Sequence, residues 1–414
     1  MLGSHIGRLF AFIGFSVIAN GLIILPSNAS EFLWYPLKVK MEIVSQAGSE
    51  GNIPLCSPPS YVASGNTLVP PVHLVGTLNF NSFEVVSRWS PDDRYLVTSG
   101  KNIDIWSFPQ LKKLRTIEKV SSLGNPNFVF VSDRGLLTTT IDQYDGVSPN
   151  AFSLIDVKSG NVIRKISGFS NPPRYPLANS TQGFGISFDT KYLFSWFNGD
   201  TLKTFVYITD AWKIGLVAPI GVSLMTSGPG PDDMAFLDPL FPDNQPSEIT
   251  NMSTFLILNG QSGSIRYKIH LVDSSTFEAR TMAIDWKDCV VGLGAGSVRY
   301  KNLDTKINPT PYIQTQDPAD ALKLWYPGVR EIVDIPGKTP IESISFSSTE
   351  HLLAYIDGNS QAKLVWLSGS SDEESEITTV ASFDLEATDV QFSEDGKYLA
   401  VSGDDSVMIY KLGR

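Results

Sequence analysis

Adjacent carboxylates are the feature of this sequence that comes nearest to catalytic chemistry. Two carboxylates at one site can serve general acid–base catalysis or bind calcium. An aspartate in a turn, however, caps backbone N–H groups, and turn-forming residues stand beside these acids. The context favours a structural role, and no D-x-D-x-D-G calcium loop accompanies them. The three pairs are Asp92 and Asp93, Asp232 and Asp233, and Asp404 and Asp405.

Histidine and cysteine are too sparse to suggest a metal site. A lone histidine in a strand pattern is more often a structural residue than a ligand. Cys56 and Cys289 lack metal-binding spacing, and a single disulfide and two unpaired thiols both fit the sequence. Walker, Rossmann, zinc-protease and nucleophile-elbow motifs are absent. We therefore predict no catalytic residue, no metal site and no cofactor. The four isolated histidines are His5, His73, His270 and His351.

The composition is that of a folded, turn-rich protein. Of the 414 residues, 42% are hydrophobic and 18% are charged, which excludes a disordered chain, a coiled coil and a multi-span membrane protein. The 33 glycines and 26 prolines fit an all-β chain with many turns. The 43 acidic residues outnumber the 32 basic ones, so the net charge is −11. Nucleic acid is therefore disfavoured as a partner, because phosphate binding needs a basic face.

The N-terminal segment has the three parts of a secretory signal. Residues 1–8 include one positive charge, residues 9–25 form an apolar run, and Ser27 and Ala29 resemble a small-residue cleavage site. We predict a signal peptide over residues 1–30 and export to the periplasm or the extracellular space. The alternative is that the apolar run stays uncleaved as a membrane anchor.

One eight-residue pattern recurs along the chain. It reads aromatic, Ser, x, Asp, x, basic, Tyr, Leu in WSPDDRYL (residues 89–96) and FSEDGKYL (residues 392–399). Related segments begin at Ile186 and Phe346, and a segment one residue shorter begins at Val131. A turn rich in Asp, Gly and Pro between two strand-forming segments predicts a β-hairpin. A third strand follows each hairpin and a fourth often does, so each unit predicts a small antiparallel sheet.

Units of four strands are typical of β-propellers. Over residues 89–106 and 392–412 the chain resembles the WD40-like propellers, and weaker units extend this resemblance over most of the chain after residue 72. No repeat carries the Gly-His or Trp-Asp pair of that family. The resemblance is therefore to its divergent members. It implies an all-β protein with a single β-propeller, and it does not carry over the function of any subfamily.

The spacing of about 50 residues between units predicts about seven four-stranded blades. Six or eight blades stay open, because the units at residues 252–273 and 283–325 are weak. The last unit ends after its third strand, and residues 72–78 form a lone strand pattern. We predict that this N-terminal strand closes the ring, with a loop-rich leader at residues 31–71 and the propeller at residues 72–414. The units are centred near Trp89, Val131, Ile186, Phe255, Trp286, Phe346 and Phe392.

Four segments exceed the repeat, residues 31–71, 213–252, 292–318 and 369–377, and the second and third are long inserts. Loops longer than about 15 residues are usually functional or disordered. The two long inserts carry apolar and aromatic residues among prolines, which either anchor a partner or cover blade edges. An acidic run over residues 369–377 fits a solvated hairpin tip. The candidate partner-binding residues are Met234, Phe236, Leu240, Phe241, Tyr300 and Tyr312.

The sequence favours an exported, non-catalytic propeller that acts as a protein-interaction scaffold or binding module. The expected partner is a protein or a glycan, and membrane contact is expected only if the N-terminal segment stays uncleaved. The alternative is an exported propeller enzyme, either a lactonase-like hydrolase or a quinoprotein-like dehydrogenase chain. An enzyme of that kind needs polar or metal-binding side chains at its central channel. The preference for a binding role over an enzymatic one rests mainly on analogy with other proteins of the propeller fold.

Overall fold

The structure is a computed structural model that describes the chain in segments. Every helix or strand assigned within these segments is a β-strand, so the predicted all-β class is confirmed for them. No helix capable of crossing a membrane occurs in these segments. The predicted signal peptide, residues 1–30, lies outside them. The described residues are 71–80, 85–100, 102–118, 128–132, 135–140, 151–167, 181–187, 191–197, 203–208, 213–218, 224–239, 252–263, 265–272, 279–295, 298–302, 312–316, 320–326, 331–336, 340–368 and 376–413.

Four consecutive antiparallel sheets follow β1 (Val72–Asn79), and in each of them the four strands pair in chain order. The first sheet contains β2 (Val86–Trp89), β3 (Tyr95–Ser99), β4 (Ile103–Ser107) and β5 (Lys112–Ile117). The second contains β6 (Phe128–Ser132), β7 (Gly135–Thr140), β8 (Ala151–Asp156) and β9 (Val162–Ser167). The third contains β10 (Thr181–Ile186), β11 (Tyr192–Phe197), β12 (Lys203–Ile208) and β13 (Lys213–Ala218). The fourth contains β14 (Leu224–Ser227), β15 (Asp233–Pro239), β16 (Met252–Asn259) and β17 (Ile265–Val272).

The remaining strands form a fifth sheet, a separate hairpin and a larger terminal sheet. The fifth sheet contains β18 (Ala279–Asp285), β19 (Val290–Ala295), β22 (Asp320–Tyr326) and β23 (Glu331–Pro336). The hairpin of β20 (Val298–Asn302) and β21 (Tyr312–Gln316) is inserted between β19 and β22. The terminal sheet contains β24 (Ile344–Phe346), β25 (Leu352–Ile356), β26 (Gln361–Ser368), β27 (Glu376–Phe392), β28 (Tyr398–Gly403) and β29 (Ser406–Leu412), with β1 as its last member.

The terminal sheet consists of two four-stranded halves that share the long strand β27. The first part of β27 pairs with β26, and its second part pairs with β28. At the far edge, β1 pairs antiparallel with β29, from Val72 opposite Leu412 to Asn79 opposite Ser406. The predicted pairing of residues 72–78 with the last strand is therefore confirmed.

Neighbouring sheets meet through their first strands and bury apolar side chains between their faces. Contacts join β6 to β10, β10 to β14, β14 to β18, β18 to β24, β24 to β27, and β27 to β2. Within the first sheet, β3 and β4 are almost wholly buried, whereas β5 is almost wholly exposed. Leu96 and Ile105, for example, have no exposed surface. Burying such a side chain contributes about 1.5–3 kcal/mol, so the stabilising contacts lie in the inner strands.

A β-bulge recurs at one register of the outermost strands. In the first sheet Ile105 pairs with Arg115 and Trp106 pairs with Lys113, which leaves Leu114 as the extra residue. A bulge bends its strand and interrupts the regular alternation of side chains between the two faces of the sheet. Adjacent residues at the bulge can therefore lie on the same side. The corresponding extra residues are Val75 in β1, Ile163 in β9, Gly215 in β13, Arg266 in β17 and Val380 in β27.

The structure corrects one of the two predicted insertions. Residues 213–252 include β13, β14 and β15, which belong to the third and fourth sheets, so this segment is part of the repeat. Phe255 accordingly lies in the third strand of its sheet. The segment at residues 292–318 does interrupt a sheet, since it contains the β20–β21 hairpin.

Candidate interaction groove

The partner-binding residues predicted from sequence do not form one exposed surface. Met234 and Phe236 lie in β15 and have no exposed surface, so the prediction that they anchor a partner is wrong. Their side chains are core because β15 is the second strand of a sheet and packs against neighbours on both faces. Leu240 and Phe241 lie outside the described residues. Tyr300 and Tyr312 fall in the β20–β21 hairpin, and their role in partner binding stays a prediction.

The repeated hairpin turn positions the first two groove residues, Arg94 and Tyr95. The Ser90 hydroxyl accepts a hydrogen bond from Tyr95 N–H (2.9 Å) and donates one to Asp92 Oδ1 (2.8 Å). Asp92 also pairs with the Arg94 guanidinium. Burial opposes ionisation of Asp92, but the hydrogen bonds from Ser90 and Arg94 outweigh burial and lower its pKa. The turn therefore holds an ionised carboxylate and fixes Arg94 beside it.

The turn between β4 and β5 supplies the apolar wall of the groove. Phe108 precedes a cis proline, and Leu111 has a left-handed backbone conformation (φ 52°). The Phe108 ring packs edge-on against Trp89 at 4.8 Å and against Tyr398 at 4.6 Å between ring centroids. This aromatic cluster joins the first sheet to the terminal sheet, so the wall is rigidly supported.

The bulge in β5 directs two side chains into the same groove. Leu114 and Arg115 are adjacent in sequence, yet both line it. Arg115 Nε donates a hydrogen bond to the backbone carbonyl of Lys158 (2.9 Å), in the β8–β9 turn of the second sheet. Gly160, with φ of 70°, lets the Arg115 side chain pass closely, since a Cβ there would lie 2.7 Å from Arg115 Cδ.

These elements border an open groove of about 460 Å³ between the first and second sheets. Arg115 and Lys158 are exposed and form no ion pair within the described part of the chain, whereas Arg94 is neutralised by Asp92. The groove is thus locally cationic on an acidic protein, a combination suited to an acidic ligand. Its lining residues are Arg94, Tyr95, Ser107, Phe108, Gln110, Leu114, Arg115 and Lys158.

A second polar cluster lies between the turns after β18 and β24. Asp288 hydrogen-bonds to His351 Nδ1, and Lys287 Nζ donates to the Thr349 carbonyl (2.9 Å). Burial, and secondarily the nearby Asp288 carboxylate, raise the pKa of Asp285 to about 6. An acid of this kind could exchange protons near neutral pH. Asp285 also accepts N–H bonds from Lys287 and Asp288, however, so it shapes its own turn.

Two further observations bear on chemistry. Among the described residues, no group of three or more His, Cys, Asp or Glu side chains is arranged to hold a metal ion. Cys289, which follows the Asp285 turn, is buried and disulfide-bonded. The only other cysteine in the sequence is Cys56, which lies outside the described residues.

Sequence reasoning missed the groove, although one signal was present. Three of the four residues from Lys112 to Arg115 are cations, in a chain whose net charge is −11. Such a run usually marks an edge strand protected by charge. The bulge that brings Leu114 and Arg115 together is a property of the strand ladder and has no sequence signature of its own.

Comparison with known proteins supports the fold and leaves the function open. No protein-family model and no curated protein matches the sequence. Among solved structures, the chain is similar to a chain from a structure titled "Crystal Structure of Mitotic Checkpoint Complex". The TM-score is 0.56 and the identity is 11%, over 86% of this chain and 97% of that one. At this identity the similarity bears on fold alone, and the four-stranded antiparallel sheets are consistent with the blades of a β-propeller.

Proposed function

We propose that this protein is an exported, non-catalytic WD40-like β-propeller that serves as a protein-interaction scaffold. The proposed propeller has seven blades: the first to fifth sheets and the two halves of the terminal sheet. Contact between β27 and β2 supports closure of the ring, and the β1–β29 pairing supports a clasp made from both ends of the described chain.

The groove between the first and second sheets is the observation that carries the binding function. It combines a rigid aromatic wall with exposed cations that lack an ion-pair partner in the described segments. Aromatic residues and arginine are the side chains that most often dominate binding energy at interfaces. A chain from a named complex is among the similar structures, which fits a protein partner.

Export is supported by two independent features. Residues 1–30 have the pattern of a secretory signal. Cys289 is disulfide-bonded, and disulfides persist mainly in oxidising compartments. We propose the periplasm or the extracellular space as the location, with residues 31–71 as a leader to the propeller.

Partner capture from the exported fraction of the source cells tests this function. Tagged protein comprising residues 31–414 should form a complex of fixed stoichiometry, measured by size-exclusion chromatography with light scattering. The Arg115→Glu, Lys158→Glu double variant should lose that complex while keeping its melting temperature. A Lys397→Gln variant, altered at an exposed cation on another turn, is the matched control. Failure of the wild type to form any stoichiometric complex, or purification with a stoichiometric metal or cofactor, would contradict the proposal.

A further inference from the structure

The exposed large apolar side chains of the described residues are confined to three outermost strands. These are β1, β5 and β9, which belong to the terminal, first and second sheets. Each strand carries its β-bulge within this set, at Val75, Leu114 and Ile163. The residues and their exposed fractions are Leu74 (56%), Val75 (41%), Leu114 (40%), Val162 (49%) and Ile163 (58%). We call this set the bulge rim.

The same register carries different residues on the sheets that follow. In the third sheet the bulge residue is Gly215, and in the fourth it is Arg266. Arg266 donates a hydrogen bond to the buried Asp233 (2.9 Å) and so has a structural role. In β27 the corresponding bulge residue is Val380, which is partly buried against a core cluster. The bulge is therefore a general feature of these sheets, whereas among the described residues a largely exposed apolar side chain at the bulge occurs in three neighbouring ones.

The bulge rim shares Leu114 with the groove, and two contacts link the first sheet to the rim strands on either side of it. Leu111, in the turn that leads to Leu114, packs against Gly76 of β1, where a Cβ would lie 2.5 Å from Leu111 Cδ1. On the other side, Arg115 bonds to the carbonyl of Lys158, four residues before Val162. Apolar side chains on three sheets thus flank one cationic groove.

Exposed cations lie beside the apolar residues of the bulge rim on the first and second sheets. Lys112, Arg115, Lys158 and Arg164 are exposed and form no ion pair within the described segments. Lysines alone would be the ordinary protection of an edge strand against aggregation. Exposed Leu, Val and Ile on the same strands favour association with other molecules. Protection of the edge against aggregation therefore does not account for the pattern.

We propose that the bulge rim and its groove bind an acidic segment of a partner protein, with aliphatic side chains seated against Leu114 and Ile163. This inference rests on the proposed scaffold function and names the chemistry of the partner. The cations favour carboxylates, and each bulge turns the strand edge away from regular pairing. Recognition therefore uses side chains rather than addition of a β-strand.

An anionic membrane is the competing occupant for a basic and apolar surface. Membrane recognition usually relies on clusters of four to eight basic residues, whereas these cations are spread over two sheets. The net charge of −11 would also repel an anionic lipid surface. A concave groove fits an inserted peptide side chain better than a flat bilayer.

Fluorescence anisotropy with short synthetic peptides tests the proposal on the protein comprising residues 31–414. The probe alternates glutamate with leucine; one control peptide replaces each glutamate with lysine, and another replaces each leucine with serine. We expect measurable binding of the first peptide only, weakened by added salt. The Leu114→Ser, Ile163→Ser double variant should raise the Kd about tenfold or more. Lys158→Gln should raise it several-fold, and Lys397→Gln should leave it unchanged.

The possible outcomes separate this inference from the scaffold function. The inference is overturned if none of the peptides binds, if the lysine peptide binds equally well, or if vesicles containing phosphatidylserine bind in its place. It also falls if the bulge-rim double variant, with an unchanged melting temperature, still captures the natural partner with full affinity. In each of these cases the scaffold function stands if the wild type forms its stoichiometric complex with that partner.

Discussion

Two neighbouring junctions of this protein are built in opposite ways. The closure junction lies between the terminal and first sheets. Hydrogen bonds join the two sheets there both at their inner strands and at their turns. Asp389 accepts hydrogen bonds from Ser87 N–H (3.1 Å) and from Arg88 Nη1 (2.6 Å). At the turns, Asp93 accepts from the N–H groups of Glu394 and Asp395 (2.8 Å each).

The open junction, between the first and second sheets, is held mainly by apolar packing. Val97, Ile105, Phe130 and Leu136 belong to one buried cluster there, and the Arg115 bond to Lys158 is its described polar link nearer the surface. The groove lies at this junction. The contrast shows that two sheets can pack through the apolar side chains of their inner strands while their outer strands and turns stay apart. On our proposal, the binding surface lies at the junction whose outer parts are not joined by polar bonds.

Removing the clasp strand should have the largest effect on the closure junction. Deleting residues 72–79 strips the edge of β29 and removes Leu78, which is buried between the terminal and first sheets. We expect a loss of about 5 kcal/mol or more in unfolding free energy, comparable to the whole stability of many domains. Urea unfolding followed by tryptophan fluorescence measures this loss.

The matched deletion must spare the cysteine in the leader. Because Cys289 is disulfide-bonded, removing Cys56 would add a cost of about 2–5 kcal/mol that has nothing to do with the clasp. Deleting residues 31–50 avoids that cost and should change the unfolding midpoint little. Equal midpoints for the two deletions would show that β1 does not hold the closure junction.

Comparing substitutions of Asp389 and Arg115 should show most directly how much polar bonds contribute to the stability of each junction. Asp389→Ala removes the carboxylate that accepts from Ser87 N–H and Arg88 Nη1 and also breaks the bond from Ser343 (3.0 Å). The substitution should cost about 3 kcal/mol. Arg115→Ala at the open junction should cost less than about 1 kcal/mol, since its side chain is exposed. Thermal and urea unfolding of both variants provide the comparison. Similar losses of unfolding free energy in the two variants would mean that polar bonds contribute equally to the two junctions.

A third junction, between the fifth and terminal sheets, should lose stability as the pH rises through about 6. The pKa of Asp285 is about 6 in the folded protein and about 3.8 in the unfolded chain. A raised folded-state pKa contributes stability below pH 4 that is lost as the pH rises through 6. Asp285→Asn cannot ionise, so it should be more stable than the wild type at pH 8, by at most about 3 kcal/mol.

The pH dependence of Asp285→Asn also provides its control. The stabilisation should shrink towards zero near pH 4, as measured by urea unfolding across the range. Asp395→Asn should be less stable than the wild type at pH 8, and this difference should shrink at low pH. The reason is that hydrogen bonds from Lys397 and Ser393 outweigh burial and lower the pKa of Asp395. A pH-independent effect of Asp285→Asn would show that the carboxyl does not titrate there.

The hairpins were predictable because one short motif encodes their turns. In three units the serine hydroxyl accepts from the backbone N–H of the following tyrosine, at Ser90, Ser187 and Ser393. The basic residue of the motif pairs with its aspartate, as Lys397 does with Asp395. In the units at residues 89–96 and 392–399, the serine, the aspartate and the basic residue of the pattern therefore each form a bond in the turn.

The fourth sheet and the groove were not predictable for two different reasons. The hairpin of the fourth sheet turns through Gly-Pro-Gly-Pro after a strand of four residues, Leu224–Ser227, and this composition resembles a loop. The groove depends on bulges, and a bulge is defined by which residues face each other across two strands. Residues such as Leu114 reveal their exposure only once that ladder is known.

The clasp also determines when this protein can finish folding. Val72 pairs with Leu412, so the first described strand must wait for the last one to be synthesised. Contacts between such distant parts of a chain form slowly. On the export that we propose, this delay would be useful, because β1 cannot pair with β29 before the C-terminal strand has been delivered. The order of synthesis would then keep the chain competent for translocation until folding on the far side could be completed.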